Sequence, residues 1–469
     1  MKYSKKIDMG RNKRLIHDFT QGSIPMQLLA FSAPLFCSNF LQAIYNTVDM
    51  IVMGHVLGRV GLSSISVGGD IQKFLNFMAM GFSGAGQVVI AQYLGAGERD
   101  KAQRFIGTMV TFMLTCAFCM SVICLTFRHF LLDCLHAPPE SRDQALMYAT
   151  TCMFGLVFTY GYNATSAIMR GMGDSKRPFM IIAFAAVLNL LLDMLFILKL
   201  GWGAFGAAFA TVLAQATSFI SATIYIILNH ESLGVDLKLS YFRIDRDLLG
   251  PLVKLGLPMA FKSASIQFSK LFVNSWINTY GVVVSAVSGI GAKLNNVSNL
   301  IASSVNTAGS SMVGQNIGAE KYNRVSKVVW TAAAINACCA LPLIIVVTCF
   351  PNVLFGLFTQ DAEVLEVCRE YIPIAVIIFI GSALRSPMNA FINGSGNYRL
   401  NFWTAFFDAF VMRVCATAVL GLCFGLKYRG FWLGAALAGL APFCVGICYY
   451  LSGKWKRKSD LLKGVKKMP

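Results

Sequence analysis

The stretch Gln92-Tyr-Leu-Gly-Ala-Gly97 reappears 223 residues further on, from 92 to 315, as Gln315-Asn-Ile-Gly-Ala-Glu320. A second pair of stretches has the same separation: Ala167-Ile-Met-Arg-Gly-Met-Gly173 and Ala390-Phe-Ile-Asn-Gly-Ser-Gly396. Two independent matches at one separation predict two homologous halves. We therefore expect a fold in which one structural unit occurs twice.

The composition indicates the environment of these halves. Of 469 residues, 56% are hydrophobic and only 13% are charged, and the mean hydropathy is +0.61. Soluble globular proteins carry roughly 25% charged residues, so an ordinary cytosolic enzyme, a disordered chain and a coiled coil are excluded. The net charge of +18 is concentrated in clusters near both ends of the chain, which is typical of cytoplasmic segments of membrane proteins rather than of nucleic-acid binding.

Continuous apolar runs predict an all-α polytopic membrane protein with twelve transmembrane helices, because a helix needs about 20 apolar residues to cross the bilayer core. The predicted spans are 27–54, 62–93, 102–127, 145–170, 177–199, 204–228, 249–279, 283–312, 325–349, 368–393, 400–426 and 430–452. Six spans separate equivalent residues of the repeat, so the two lobes have the same orientation. We assign residues 1–228 to the N-lobe, 229–248 to a cytoplasmic linker and 249–469 to the C-lobe.

The distribution of positive charge predicts the orientation. Most of the 40 Lys and Arg residues lie in the two termini and in loops on one side. By the positive-inside rule both termini are cytoplasmic. Parallel repeats of this kind form transporters in which two helical bundles rock about a central cavity. The alternative is a gene duplication without transport.

Four carboxylates fall in the interior of predicted spans, away from the span ends: Asp49, Asp70, Asp193 and Asp408. A charged side chain at the bilayer centre costs about 2.5–3.5 kcal/mol on insertion scales, so each needs a reason. Asp70 has Lys73 one helical turn away, and Asp408 has Arg413 nearby. These two are interpreted as paired charges or as residues near an interface.

Asp49 and Asp193 instead have polar neighbours. Tyr45 precedes Asp49 by four residues, and Asn189 precedes Asp193 by four, so each pair shares one face of its helix. Oxygen atoms of this kind suit a proton or a hard cation such as Na⁺. The alternative is that the two aspartates cap kinked helices or hydrogen-bond to distant spans.

Several stretches together resemble the multidrug and toxic compound extrusion (MATE) family, and the resemblance covers nearly the whole chain. They are Tyr45-Asn-Thr-Val-Asp-Met-Ile-Val-Met-Gly54, Asn189-Leu-Leu-Leu-Asp193, Gly206-Ala-Ala-Phe-Ala-Thr211, Gln315-Asn-Ile-Gly-Ala319 and Asn393-Gly-Ser-Gly-Asn397. The resemblance implies a secondary active antiporter. Such a protein exports amphipathic, often cationic compounds in exchange for H⁺ or Na⁺ by alternating access.

The DinF-like branch of that family implies an ion-coupling site in the N-lobe. Its residues match Tyr45, Asp49, Asn189, Asp193 and Thr211 here. A Na⁺ ion would use Asp49, Asn189, Asp193 and Thr211. Another branch of the family carries an acidic coupling residue on span 7. This chain has Gln267 in that span and no carboxylate between Phe261 and Phe268. We therefore expect ion coupling in the N-lobe.

Other features leave alternatives open. Lys262, Lys270, Lys293 and Arg385 lie within C-lobe spans and either bind an anionic group, pair across the lobes or extend toward the interface. They keep a lipid-linked oligosaccharide flippase of the same superfamily as the alternative function. No His falls within a span, which disfavours a membrane-embedded enzyme. We expect a monomer in the plasma membrane that uses no cofactor and binds small amphipathic molecules, without nucleic acid.

Overall fold

The computed structural model describes residues 17–135, 138–231, 233, 238–457 and 461, except for the side chains of residues 49, 51–53, 59, 62 and 239. All regular elements in this part of the chain are helical. The N-lobe helices are α1 (Ile24–Gly95), α2 (Arg99–Thr126), α3 (Arg128–Cys134), α4 (Arg142–Phe154), α5 (Leu156–Gly171), α6 (Lys176–Asp193) and α7 (Gly203–Leu228). The C-lobe helices are α8 (Arg246–Asn278), α9 (Val282–Gly318), α10 (Tyr322–Cys349), α11 (Pro351–Gly356), α12 (Ala362–Ser395), α13 (Tyr398–Phe406), α14 (Lys427–Ala438) and α15 (Ala441–Leu451).

The helices agree with the predicted spans, and the protein is an all-α polytopic membrane protein. Predicted spans 1 and 2 form the long helix α1, which is interrupted at Gly58 (φ 62°, ψ −162°), inside the predicted turn. Nine described segments are long and apolar enough to cross a membrane. The remaining predicted spans are also helical: span 4 is divided into α4 and α5, and spans 7 and 8 are the more polar helices α8 and α9.

The backbone repeats itself between the lobes. Ten of the twelve described residues with a positive φ form pairs at the separation found in the sequence, or one residue more: Gly58 and Gly281, Gly97 and Glu320, Gly173 and Gly396, Gly201 and Gly425, Gly203 and Lys427. The short helices α3 and α11 are also equivalent. The turns of both lobes therefore have the same construction.

Each lobe has apolar packing of its own, and two clusters also cross between the lobes. Leu252 of α8 packs in the N-lobe cluster, and Leu28 of α1 packs in a cluster with Met312 of α9. In the N-lobe, Phe105 and Met109 of α2 pack with Tyr160 of α5. In the C-lobe, Val287 of α9 packs with Phe379 of α12 in a separate cluster. Large apolar side chains that remain exposed on the outer helices, such as those of α6, suit contact with lipid.

The lobes meet where α1 and α9 end. The side-chain amide of Gln87 donates to the carbonyl of Thr307 (3.0 Å) and to Oγ of Ser311 (2.7 Å). Arg170 of α5 donates from Nε to Oε1 of Gln87 (2.9 Å). This end of the molecule, which carries residues 92–97 and 315–320, is closed. We refer to it as the closed end.

The segment 17–23 crosses the seam between the lobes at the closed end. His17 donates its backbone N–H to the carbonyl of Met172 in the N-lobe (3.2 Å). Phe19 donates its N–H to Oε1 of Gln315 (2.9 Å), and its carbonyl accepts from Arg324 (3.1 Å), both in the C-lobe. The segment therefore contacts both lobes at once.

Candidate functional site

Three of the five predicted coupling residues come together in the N-lobe. Asn189 and Asp193 lie one turn apart on α6, and Nδ2 of Asn189 donates to Oδ2 of Asp193 (3.0 Å). Tyr45, from α1, donates its hydroxyl to Oδ1 of Asn189. Asn189 and Asp193 are only 4% and 1% exposed. One amide thus connects a phenol to a buried carboxylate between two helices.

The other two predicted residues are placed differently. Thr211 lies on α7 and donates its hydroxyl to the carbonyl of Ala207 in its own helix (3.0 Å). Its oxygen keeps lone pairs that can accept or coordinate. The backbone of Asp49 belongs to α1, one turn after Tyr45, whereas its side chain lies outside the described part of the structure.

A change of helix type begins directly after Asp193. The segment Met194–Lys199 continues α6 as a π-helix, with hydrogen bonds from residue i to residue i+5. The equivalent span of the C-lobe contains two such segments, Phe407–Ala416 and Val419–Cys423. π-Helical turns occur frequently at functional sites, and here both lobes have them in the same span.

The same helical position carries different chemistry in the two lobes. At a separation of 224 residues, Asn189 corresponds to Arg413 and Asp193 to Thr417. Arg413 donates to Asp408 (2.9 Å), and the two residues are 5% and 0% exposed. They are five residues apart within a π-helix, whose i to i+5 spacing places them on one face. The prediction that Asp408 is a paired charge is confirmed.

Asp70 is likewise paired, as predicted. Its carboxylate accepts from Nζ of Lys73 (2.9 Å), and both side chains are largely exposed. An exposed pair of this kind contributes about 0–1 kcal/mol. Asp70 therefore differs from Asp193, whose buried carboxylate lies against an amide.

The C-lobe contains an open cavity of about 580 Å³. Lys270, Arg385 and Gln267 line it, and Lys293 is an exposed residue that does not. Sequence reasoning missed the amides that accompany the basic groups: Asn274, Asn295, Asn296, Asn299, Asn306 and Asn389. The sequence did contain a signal for them: four of these asparagines lie in α9, which is an unusually high number for a predicted membrane span.

Among the described residues, no group of three or more His, Cys, Asp or Glu side chains is arranged to hold a metal ion. The described oxygen groups of the N-lobe cluster are the carboxylate of Asp193, the amide of Asn189 and the hydroxyl of Tyr45. This set binds a transition metal poorly but suits a proton or an alkali cation.

Comparison with known proteins gives the family. The model of the MatE family matches twice, at residues 34–195 and 258–419, and both limits of the second match lie 224 residues after those of the first. The predicted repeat is therefore also found by the family comparison. The two matches together cover more than half of the chain.

Curated relatives match over nearly the full length. The chain is 28% identical over 446 residues to the probable multidrug resistance protein YpnP of Bacillus subtilis, covering 94% of this chain and 98% of the relative. It is 23% identical over 458 residues to the probable multidrug resistance protein NorM of Thermotoga maritima, covering 94% and 95%. These relatives favour an exporter over a flippase.

Solved structures show the same fold. One, described as the outward-facing conformation of a multidrug resistance MATE family transporter of the MOP superfamily, superimposes with a TM-score of 0.86 at 21% identity, over 95% of this chain and 98% of that one. A second, a MOP superfamily transporter from Pyrococcus furiosus described as having a binding pocket of reverse polarity, gives 0.85 at 21% identity, over 95% and 99%. From the two family matches and the agreement in fold, we conclude that the chain belongs to the MatE family of multidrug and toxic compound extrusion transporters.

Proposed function

We propose that this protein is a secondary active antiporter of the plasma membrane, in the DinF-like branch, which exports amphipathic compounds in exchange for H⁺ or Na⁺. The observation that carries the proposal is the buried carboxylate of Asp193, joined through Asn189 to Tyr45. A charged group at that depth is expensive to keep. Coupling to an ion explains why the protein retains it.

The coupling site comprises Tyr45, Asp49, Asn189, Asp193 and Thr211. When a proton or Na⁺ enters, the negative charge of the cluster is neutralised, and the amide and hydroxyl groups reorient around the occupant. Na⁺ would be held by oxygen atoms of Asp49, Asn189, Asp193 and Thr211. Because the cluster spans α1, α6 and α7, occupancy changes how these helices pack, and a change in packing alters the balance between lobe arrangements.

Alternating access follows from the two-lobe construction. Both termini are assigned to the cytoplasm by the charge distribution, so the closed end faces the cytoplasm and the structure represents the outward-facing state. Among the described residues, the interlobe hydrogen bond farthest from the closed end joins Asn39 to Ser303 and Ser304. Rocking of the lobes would break the contacts at the closed end and form others at the opposite end.

Gradient-driven transport in liposomes tests the proposal. Purified protein would be reconstituted, and a Na⁺ gradient and a pH gradient would be imposed separately. Uptake of two xanthene dyes, fluorescein and the ethyl ester of rhodamine B, would be recorded. Wild-type protein should respond to at least one gradient, whereas Asp49→Asn and Asp193→Asn should lose the response. The Asn variants should fold, because an uncharged amide is cheaper to bury than a charge.

Asp70→Asn is the matched control, because Asp70 is an exposed, paired carboxylate in the same lobe. It should keep wild-type gradient dependence at equal protein level. If Asp49→Asn and Asp193→Asn both behaved like Asp70→Asn, the N-lobe would not be the coupling site, and the assignment of all five residues would fall.

A further inference from the structure

The cavity of the C-lobe is suited in size and shape to a small amphipathic molecule. Its volume of about 580 Å³ lies within the roughly 300–1,000 Å³ of typical ligand pockets. The buried rings of Tyr371 and Trp432 form part of its wall, packed edge to face with their centroids 5.1 Å apart. Such rings offer an apolar surface to a ligand.

The charges around this cavity are mostly of one sign. Three lining residues are basic, Lys270, Arg385 and Arg413, and the described lining includes no Asp or Glu. Asp408 lies behind the wall and pairs with Arg413 (2.9 Å). That ion pair neutralises one of the three positive charges and leaves two.

Lys270 and Arg385 carry the remaining charge. Arg385 donates to Oδ1 of Asn299 (2.6 Å), which orients the guanidinium without neutralising it. Neither residue takes part in any of the ion pairs among the described residues. Both lie well inside membrane-spanning helices, where uncompensated charge is costly.

A third basic residue lies directly behind the residues that line the cavity. Lys262 donates from Nζ to Oδ1 of Asn389 (2.6 Å), and Asn389 lines the cavity. With one lone pair of Oδ1 engaged by Lys262, the amide of Asn389 still offers its N–H donors. The cavity therefore presents guanidinium, ammonium and amide N–H groups, which together match the oxygen atoms of an anion.

We infer that the C-lobe cavity binds the anionic group, a carboxylate, sulfonate or phosphate, of an amphipathic organic compound. The anion lies among Lys270, Arg385 and the cavity amides, and the apolar part lies against Tyr371 and Trp432. The inference rests on the proposed function in that this compound would be the exported cargo. It differs from the cationic substrates that the family resemblance implied.

Equilibrium binding to the full-length protein in phosphatidylcholine nanodiscs tests the inference without any ion gradient. Fluorescein is an anion at neutral pH, and the ethyl ester of rhodamine B is a cation with the same ring system. The protein should bind fluorescein saturably and more tightly than the rhodamine ester. Lys270→Gln and Arg385→Gln should each weaken fluorescein binding about tenfold, as expected for the loss of one charge-assisted hydrogen bond.

Three further variants keep the result interpretable. Lys293→Gln removes an exposed lysine of the same lobe outside the cavity and should leave the affinity for fluorescein unchanged. Lys270→Arg and Arg385→Lys keep the positive charge and should retain most of the affinity for fluorescein. Absence of saturable fluorescein binding, preference for the rhodamine ester, or wild-type affinity in both Gln variants would overturn the inference.

The natural anion can be a lipid headgroup or a water-soluble compound, and one competition experiment distinguishes them. If phosphatidylglycerol in the nanodisc displaces fluorescein, the natural anion is a lipid headgroup. If fluorescein stays bound in the presence of phosphatidylglycerol, the natural anion is a water-soluble compound. Both outcomes support an anion site. A protein that binds fluorescein but shows no gradient-driven transport would retain the anion site and lose the antiport proposal.

Discussion

Gly95 and Gly318 occupy equivalent positions in the two lobes, and each lies against a backbone carbonyl of the other lobe. A Cβ on Gly95 would stand 2.0 Å from the carbonyl oxygen of Gln315, and one on Gly318 would stand 2.1 Å from that of Gln92. Gln92 and Gln315 are themselves equivalent, so the contact has approximate twofold symmetry. The ends of α1 and α9 approach this closely because neither glycine has a side chain.

Gly95→Ala and Gly318→Ala should therefore prevent closure of this end. Overpacking costs roughly 1–3 kcal/mol, and the neighbour here is rigid backbone, so we expect dye transport to fall roughly tenfold or more. Spin labels at Arg99→Cys and Asn323→Cys, in protein freed of reactive native cysteines, should report a longer interlobe distance. Transport and distance equal to wild type would contradict the proposed role of the contact.

Gly69→Ala and Gly289→Ala are the matched controls, one in each of the same two helices. A Cβ at either position meets no atom within 4 Å. Replacing glycine by alanine in a helix is favourable by roughly 0.5–1 kcal/mol. Both controls should transport normally and unfold at the same or a slightly higher temperature.

The orientation of the chain predicts a labelling pattern. Single cysteines near Arg142 and Glu363 should react with an impermeant thiol reagent added outside intact cells. Cysteines near Lys101 and Lys321 should react only after permeabilisation, because the positive-inside rule places their loops in the cytoplasm. The reverse pattern would overturn the assigned orientation.

Rocking of the lobes predicts that a link between their outer ends blocks transport. Val56→Cys places a thiol just after the first predicted span, within α1. Val282→Cys places a thiol at the start of α9. A reducible bifunctional reagent that joins them should stop dye transport, and reduction should restore it. The singly substituted proteins, treated in the same way, control for modification alone. Unimpaired transport by the linked protein would rule out rocking.

The buried pair Asp408–Arg413 predicts a difference in stability. Asp408→Asn leaves the guanidinium of Arg413 buried without its counter-charge, and breaking a buried pair in this way typically costs about 3–5 kcal/mol. Asp70→Asn breaks an exposed pair and should cost about 0–1 kcal/mol. Thermal unfolding in detergent compares the two variants. Equal unfolding temperatures would show that the Asp408 pair contributes no more than the exposed one.

Hydropathy and turn residues were sufficient to predict much of this fold. The break at Gly58 falls inside a predicted turn, and the repeat seen at Gln92 and Gln315 recurs in paired left-handed residues. Ion pairs at helical spacing, such as Asp70 with Lys73, follow from local sequence. Local information decides these features because they depend on residues close together in the chain.

Features that depend on distant residues were not predicted. Apolar periodicity does not distinguish the π-helix at Phe407–Ala416 from an α-helix, and the division of span 4 at Gly155 is hidden in a continuous apolar run. Nothing in the sequence shows that Asn299 on α9 orients Arg385 on α12, because that contact exists only after the helices pack. Tyr45 and Asn189 were grouped by their helical spacing from Asp49 and Asp193 and by family resemblance, and the structure supplies the hydrogen bond between them.

The equivalence of Asn189 and Arg413 has a thermodynamic consequence. One lobe has a carboxylate cluster where the other has a guanidinium, so the proposed ion and the proposed organic anion occupy separate places and do not displace each other directly. Their antagonism must then be a linkage through the shared lobe equilibrium. Linkage is reciprocal: the factor by which the ion weakens binding of the anion equals the factor by which the anion weakens binding of the ion.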